Sequence, residues 1–184
     1  MILAIDVGTR NLAYVLCHEN ERKMIIKEAK LIDTGKKCVA KLFIFLVKNH
    51  LEQLCKIKIQ NVVIEQQTKY NQRAFALAHA LFGFFVSRQI DVSFVSPVSK
   101  FNNFLEMAIV KKDEIGRGNK KKRKILAVEL TNLCVEKLKI INIDLNKFKK
   151  KDDVADAFIY AFNFLYDFLD TSKIDKRKIL KISL

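Results

Sequence analysis

Four acidic side chains stand out by where the sequence puts them. Asp6 follows the apolar run Met1-Ile2-Leu3-Ala4-Ile5 and precedes Val7 and a glycine, Gly8. Glu65 closes a second, largely apolar run over residues 57–64. Asp153 and Asp156 are three apart, hence neighbours on one turn if that stretch is helical. Brought together at one edge of a sheet, four carboxylates repel, and some must protonate unless a cation intervenes. A divalent ion removes the conflict, and hard oxygen donors with room for several waters suit Mg²⁺, with Mn²⁺ able to substitute. Two such ions ~3.5–4 Å apart activate water and stabilise the leaving oxygen in phosphodiester hydrolysis. Taken singly, each acid has a plainer reading. Asp6 would cap a turn, and Asp153 and Asp156 would be solvated acids favoured at a helix N-terminus by its dipole.

The elements that must position these acids follow from patterning. Residues 1–5 lack polar alternation, which predicts a strand buried on both faces. Gly8 allows a tight turn, and residues 12–16 return as an antiparallel strand. Residues 23–32 read as a third, edge-like strand whose lysines discourage further pairing. Apolar spacing predicts a helix over 38–55, then a buried strand over 57–65 ending, like the first, in a carboxylate. A helix over 71–88 is apolar nearly all round, so it is either core or covered by a partner. A short strand over 91–95 is broken at Ser96-Pro97, and a short helix over 98–107 follows. Residues 111–122 form a polar loop with two glycines. Helices over 121–139 and 152–169 complete the pattern. On the last one, Val154, Phe158, Ala161, Phe162 and Leu165 share one face, opposite Asp153, Asp156, Asn163 and Asp167. Residues 173–184 are basic and amphipathic and carry no motif.

Composition narrows the partner. The 184 residues suit one globular domain. They hold 34 Lys and Arg against 20 Asp and Glu, a net charge of +14. Such an excess favours a polyanion, nucleic acid before a membrane surface. Cys17, Cys38, Cys55 and Cys134 form no CxxC pair, and His18, His50 and His79 complete no zinc spacing. Reduced thiols in a cytosolic-type compartment are expected. The sequence runs straight into a strand, so no signal peptide is expected. The most apolar helix-like run, 74–86, is too short to span a bilayer.

In this order the motifs resemble those of the RuvC-type Holliday junction resolvases of the RNase H-like superfamily. Ala4-Ile5-Asp6-Val7-Gly8-Thr9-Arg10-Asn11 is similar to the family's first-strand motif. Val63-Ile64-Glu65-Gln66-Gln67 is similar to its fourth-strand glutamate motif. Lys151-Asp152-Asp153-Val154-Ala155-Asp156-Ala157 is similar to its C-terminal Asp-x-x-Asp-Ala helix, and the wording is nearest the poxvirus branch. The resemblance implies an α/β fold: an RNase H-like mixed sheet, a three-strand antiparallel meander plus parallel strands, flanked by helices. It implies a nuclease domain over 1–170 and a basic extension over 171–184. Asp6, Glu65, Asp153 and Asp156 would be the metal-binding carboxylates, the Asp-x-x-Asp spacing favouring Asp153 over its neighbour Asp152. The family also places a lysine near the scissile phosphate, ahead of the preceding helix. Lys120, Lys121, Lys122 and Lys124 are available, and Lys122 fits best because Ile125 and Val128 follow at the expected apolar spacing.

The implied activity is Mg²⁺-dependent, structure-selective cutting of four-way DNA junctions by paired symmetric nicks, leaving ligatable 5′-phosphate and 3′-hydroxyl ends. Two matched nicks imply a homodimer, and the apolar helix over 71–88 is the interface candidate. In the poxvirus branch the implied task is cutting concatemeric viral DNA in the host cytoplasm. Three rivals remain at this stage. An RNase H-like nuclease acting on another branched DNA or on RNA–DNA hybrids is one, since fold alone does not set substrate. A sugar-kinase or actin-like phosphotransferase shares an Ile-Asp-x-Gly-Thr motif, but needs a second phosphate loop and usually a second domain. The third is a non-catalytic nucleic-acid-binding module.

Overall fold

The first strand is the axis of the molecule. β1 (Ile2–Val7) is buried along its whole length and occupies the centre of a five-stranded sheet ordered β3-β2-β1-β4-β5. The computed structural model describes residues 1–170 except 9, 22, 36, 108, 113–114 and 116–118, and for 168–170 it describes the backbone. β2 (Asn11–Asn20) and β3 (Lys23–Asp33) continue from β1 as an antiparallel meander. β4 (Asn61–Glu65) and β5 (Asp91–Val95) add parallel strands on the other side. The mixed sheet, meander plus parallel strands, is the one expected.

Side chains on a strand alternate between faces, and the two faces of β1 feed two separate cores. Leu3, Ile5 and Val7 pack with Leu12, Tyr14, Val62 and Ile64 beneath α1 (Val39–Leu46) and α3 (Gln72–Val86). Ile2 and Ala4 pack with Val15, Cys17 and Val63 beneath α5 (Lys120–Lys137) and α6 (Lys151–Asp170). Between β5 and α5 lie a short 3₁₀ turn, Ser99–Phe101, and α4 (Asn102–Glu106). Among the described residues, no helix is long and apolar enough to cross a membrane.

Several boundaries differ from the sequence-based expectation, each for a physical reason. The helix expected over 38–55 is broken by a π turn, Val47–Leu51, before α2 (Glu52–Cys55). The buried leucines along it are Leu42, Leu46, Leu51 and Leu54, in steps of four, five and three. The five-residue step is too long for one α turn, and the π turn absorbs it. The strand expected from residue 57 begins at Asn61. Residues before it make a tight bend, with Ile59 N–H donating to the Ile57 carbonyl at 2.7 Å and Gln60 N–H to the Met1 carbonyl at 2.8 Å. The lysines expected in a loop up to residue 122 enter α5 early. Asn119 caps that helix, its side chain accepting from Lys122 N–H at 3.0 Å.

The helices also exchange roles. α6, expected to show an amphipathic face to water, is buried on most sides, including Ala155, Ile159 and Tyr160. α3, expected to be apolar nearly all round, buries one face and leaves Phe75, Ala76, His79 and Val86 exposed. An Asp-x-Gly repeat at Asp33-Thr34-Gly35 is no phosphate loop. The Asp33 carboxylate accepts from Gly35 N–H at 2.8 Å and caps the turn after β3.

Gly8 has a sharper requirement than turning. A Cβ built there would stand 2.2 Å from the Asn11 carbonyl oxygen. Gly8→Ala must therefore shift backbone two residues from Asp6. It is expected to destabilise the fold by about 1–3 kcal/mol, and urea unfolding that shows no loss would contradict this.

Candidate active site

Strand register brings the first two acids together. Ala4 pairs with Val63 and Ile5 with Ile64 across the parallel β1–β4 seam. One step on, Asp6 and Glu65 are next in line, on the face that carries Ala4 and Val63 and looks toward α6. α6 crosses that face of β1 and β2 and presents Asp153 and Asp156 from its first turns. All four acids line one cleft of about 320 Å³, with Arg10, Asn11, Gln67, Lys120, Lys124 and Lys150 around it. The sequence-predicted acids are therefore brought to one place, at the C-terminal ends of the two central strands.

The electrostatics of the cleft are those of crowded like charge. Asp6 is 8% exposed. Burial, a hydrogen bond with Glu65, and the charges of Glu65, Asp156 and Asp153 together raise its carboxyl well above the ordinary value. Asp156 is also raised, by burial above all, although the Lys100 ammonium 2.5 Å away pulls the other way. Lys100 is itself only 6% exposed. Asp153 accepts from the Asn11 amide at 3.3 Å and from Lys124 at 3.3 Å, and Lys124 also pairs with Asp152. Glu65 accepts from the Tyr160 hydroxyl at 3.0 Å and from the Gln67 amide at 2.6 Å. Burial and the charges of Glu65, Asp156 and Asp6 hold the Tyr160 phenol well above its usual range, so it stays a donor.

This donor set fits a hard divalent cation. Its members are carboxylate oxygens only, the donors that hard divalent cations prefer, and like charges crowded into one cleft are relieved by a cation among them. Among the described residues, no three acid, histidine or cysteine side chains stand together as placed to ligate one ion. Instead the acids turn toward protein donors: Asp156 to Lys100, Asp153 to Lys124, Glu65 to Tyr160 and Gln67.

The structure separates the candidate lysines. Lys120 and Lys124 are four apart on one face of α5 and reach the acid cleft. Lys122 is about 200° round the helix from Lys120 and lines a separate groove with Ile125 and Leu126. Ile125, which follows Lys122 in the expected apolar spacing, is 51% exposed, and the core side of α5 is marked by Ala127, Leu130 and Cys134. Lys100 was not singled out by sequence. Its one signal is a lone lysine in a largely apolar stretch, Val98-Ser99-Lys100-Phe101, whose burial is matched by the carboxylate of Asp156. Residues 171–184, expected as a basic extension, lie outside the described residues.

Comparison with known proteins places the chain in a family and its fold among solved structures. The sequence model of the family described as Poxvirus A22 protein matches residues 1–170. No protein among curated sequences matches the chain. Among solved structures, the Fowlpox virus resolvase bound to substrate Holliday junction DNA is 18% identical with a TM-score of 0.67, over 91% of this chain and 98% of that one. The yeast mitochondrial Holliday junction resolvase Ydc2 is 19% identical with a TM-score of 0.66, over 89% of this chain and 78% of that one. RuvC of T. thermophilus, in complex with a Holliday junction substrate, is 13% identical with a TM-score of 0.61, over 94% and 96%. At such identities the likeness is one of fold, and the fold is RNase H-like as the motif order implied.

The state of Asp6 has a measurable consequence for stability. The folded chain holds this proton more tightly than the unfolded chain does, so the contribution of Asp6 to stability is greatest below the ordinary carboxylate value of about 3.8 and is lost as pH rises through the raised native value. In a chelating buffer at pH 7.5, Asp6→Asn is expected to melt several degrees higher than the parent chain. The advantage should shrink at pH 4. Scanning calorimetry at the two pH values checks this, and equal melting temperatures at pH 7.5 would contradict it.

Proposed function

The chain belongs to the Poxvirus A22 protein family, and on that footing we propose that it is a divalent-metal-dependent endodeoxyribonuclease that resolves four-way DNA junctions by paired symmetric nicks. The observation that carries this reading is the single cleft in which Asp6, Glu65, Asp153 and Asp156 meet within a ring of cations. These four would hold the divalent ion, which we take to be Mg²⁺ with Mn²⁺ able to substitute. When bound, such an ion polarises a phosphate oxygen and lowers the pKa of water at neutral pH.

The remaining roles belong to the chain's own residues. Arg10, Lys120, Lys124 and Lys150 face the same opening and would seat the phosphate backbone there. Lys124 has a second task in our reading. It neutralises Asp152 and Asp153 in the free protein and is close enough to turn to a phosphate, the role first assigned to Lys122. Lys100 is buried against Asp156 and aims that carboxylate, since breaking a buried pair from one side strands the other charge. Asn11 does the same for Asp153 with a neutral donor.

Two symmetric nicks need two such clefts. We assign self-association to the outer face of α3. There Phe75 lies against His79, with centroids 4.1 Å apart, and His79 against Phe94 at 5.1 Å, giving an aromatic strip bordered by exposed Val86. For a poxvirus protein the substrate is concatemeric viral DNA, met in the host cytoplasm.

The deciding experiment is cleavage of a four-way junction, plain duplex, bubble and RNA–DNA hybrid, each with and without Mg²⁺. Junction cutting that needs Mg²⁺ is expected; equal cutting of the hybrid would point to another RNase H-like substrate. Asp6→Asn should reduce cutting to background while keeping junction binding. Lys124→Ala should slow it far more than Lys122→Ala, and the reverse order would restore the sequence-based choice. Separately, Phe75→Glu should convert a dimer to a monomer in sedimentation, and an unchanged dimer would move the interface off α3.

A further inference from the structure

Tyr160 stands out once the acids and lysines have been assigned. It sits on α6 one turn beyond Asp156 and is 2% exposed. Its neighbours on the helix, Phe158 and Phe162, are phenylalanines that stack on each other with centroids 6.2 Å apart. A phenylalanine would fill the Tyr160 site too, and a buried hydroxyl is costly unless it is bonded. Here it is bonded, to Glu65 Oε1 at 3.0 Å, across 95 residues of sequence.

We propose that Tyr160 is a positioning residue that aims Glu65, acting from α6 on the end of β4. The other oxygen of the same carboxylate, Oε2, accepts from Gln67 at 2.6 Å. Glu65 is therefore gripped at both oxygens, once by a half-buried amide on its own strand's extension and once by a rigid ring from the helix that supplies Asp153 and Asp156. The phenol keeps the β4 acid in a constant relation to the α6 acids. Partners that orient ligating carboxylates in this way commonly set metal affinity by ten- to a hundredfold. This inference rests on the reading that these acids hold a divalent cation.

The test is Mn²⁺ binding followed by electron paramagnetic resonance, with the full chain and no DNA. Tyr160→Phe is expected to bind Mn²⁺ on the order of tenfold more weakly. It should keep its metal-free affinity for the junction, and excess Mn²⁺ should restore most of the cutting rate. In a Glu65→Gln background, adding Tyr160→Phe should cost little further affinity. Phe158→Leu loosens the same helix without touching Glu65, so it should lower the melting temperature and leave Mn²⁺ affinity alone. Wild-type Mn²⁺ affinity in Tyr160→Phe would overturn the role of Tyr160 while leaving the metal reading intact. An equal loss in Phe158→Leu would overturn it as well, by reducing the effect to general loosening. No Mn²⁺ binding by the parent chain would overturn the metal reading and this inference together.

Discussion

Much of this structure answers to one constraint: four carboxylates are held in a part-buried cleft where their charges repel. Asp6 is the extreme case, sealed between two central strands and a helix with three other acids facing it. Like charges at close range in a low-dielectric setting must be neutralised by protons, cations or donors. The chain deploys all three. Asp6 takes up a proton more readily than usual, Lys100 and Lys124 sit against Asp156 and Asp153, and Tyr160, Gln67 and Asn11 donate to what is left.

That arrangement explains the choice of elements. A central parallel pair of strands places two acids side by side with no freedom of register. A helix buried on most sides can present Asp153 and Asp156 without wandering, because Val154, Ala155 and Ala157 anchor the turns that carry them. The strongly basic remainder of the chain then draws a polyanion toward a cleft that would otherwise repel it. The acids supply the oxygen donors of the cleft, and the surrounding lysines supply the positive charge around it.

The legible part of this molecule was the part governed by periodicity and motif order. The uninterrupted apolar run before Asp6 identified a strand with two covered faces, and the meander and helices followed in the expected order. Asp6, Glu65, Asp153 and Asp156 stood out because each lies near the end of an element. Illegible were features that depend on rotation about an axis or on contacts between distant segments. Lys122 and Lys124 are indistinguishable in composition, and their difference is an angle on α5. Lys100 and Tyr160 sit in ordinary apolar stretches, and their partners lie 56 and 95 residues away. The π turn at Val47–Leu51 is visible only as a five-residue step between leucines, a signal that carries meaning once the core side is known.

The pairing of β1 with β4 has one further effect. Because side chains alternate, a slip of one residue would send every β4 side chain to the opposite face. Glu65 would then point beneath α3, away from Asp6, and Ile64 would stand in the cleft. A chain that folds in the wrong register therefore never assembles the four-acid cleft. It keeps its excess of lysine and arginine, but Glu65 no longer stands with Asp6, Asp153 and Asp156. Strand register and the four-acid cleft are thus one and the same condition, so the site exists only in the correctly paired sheet.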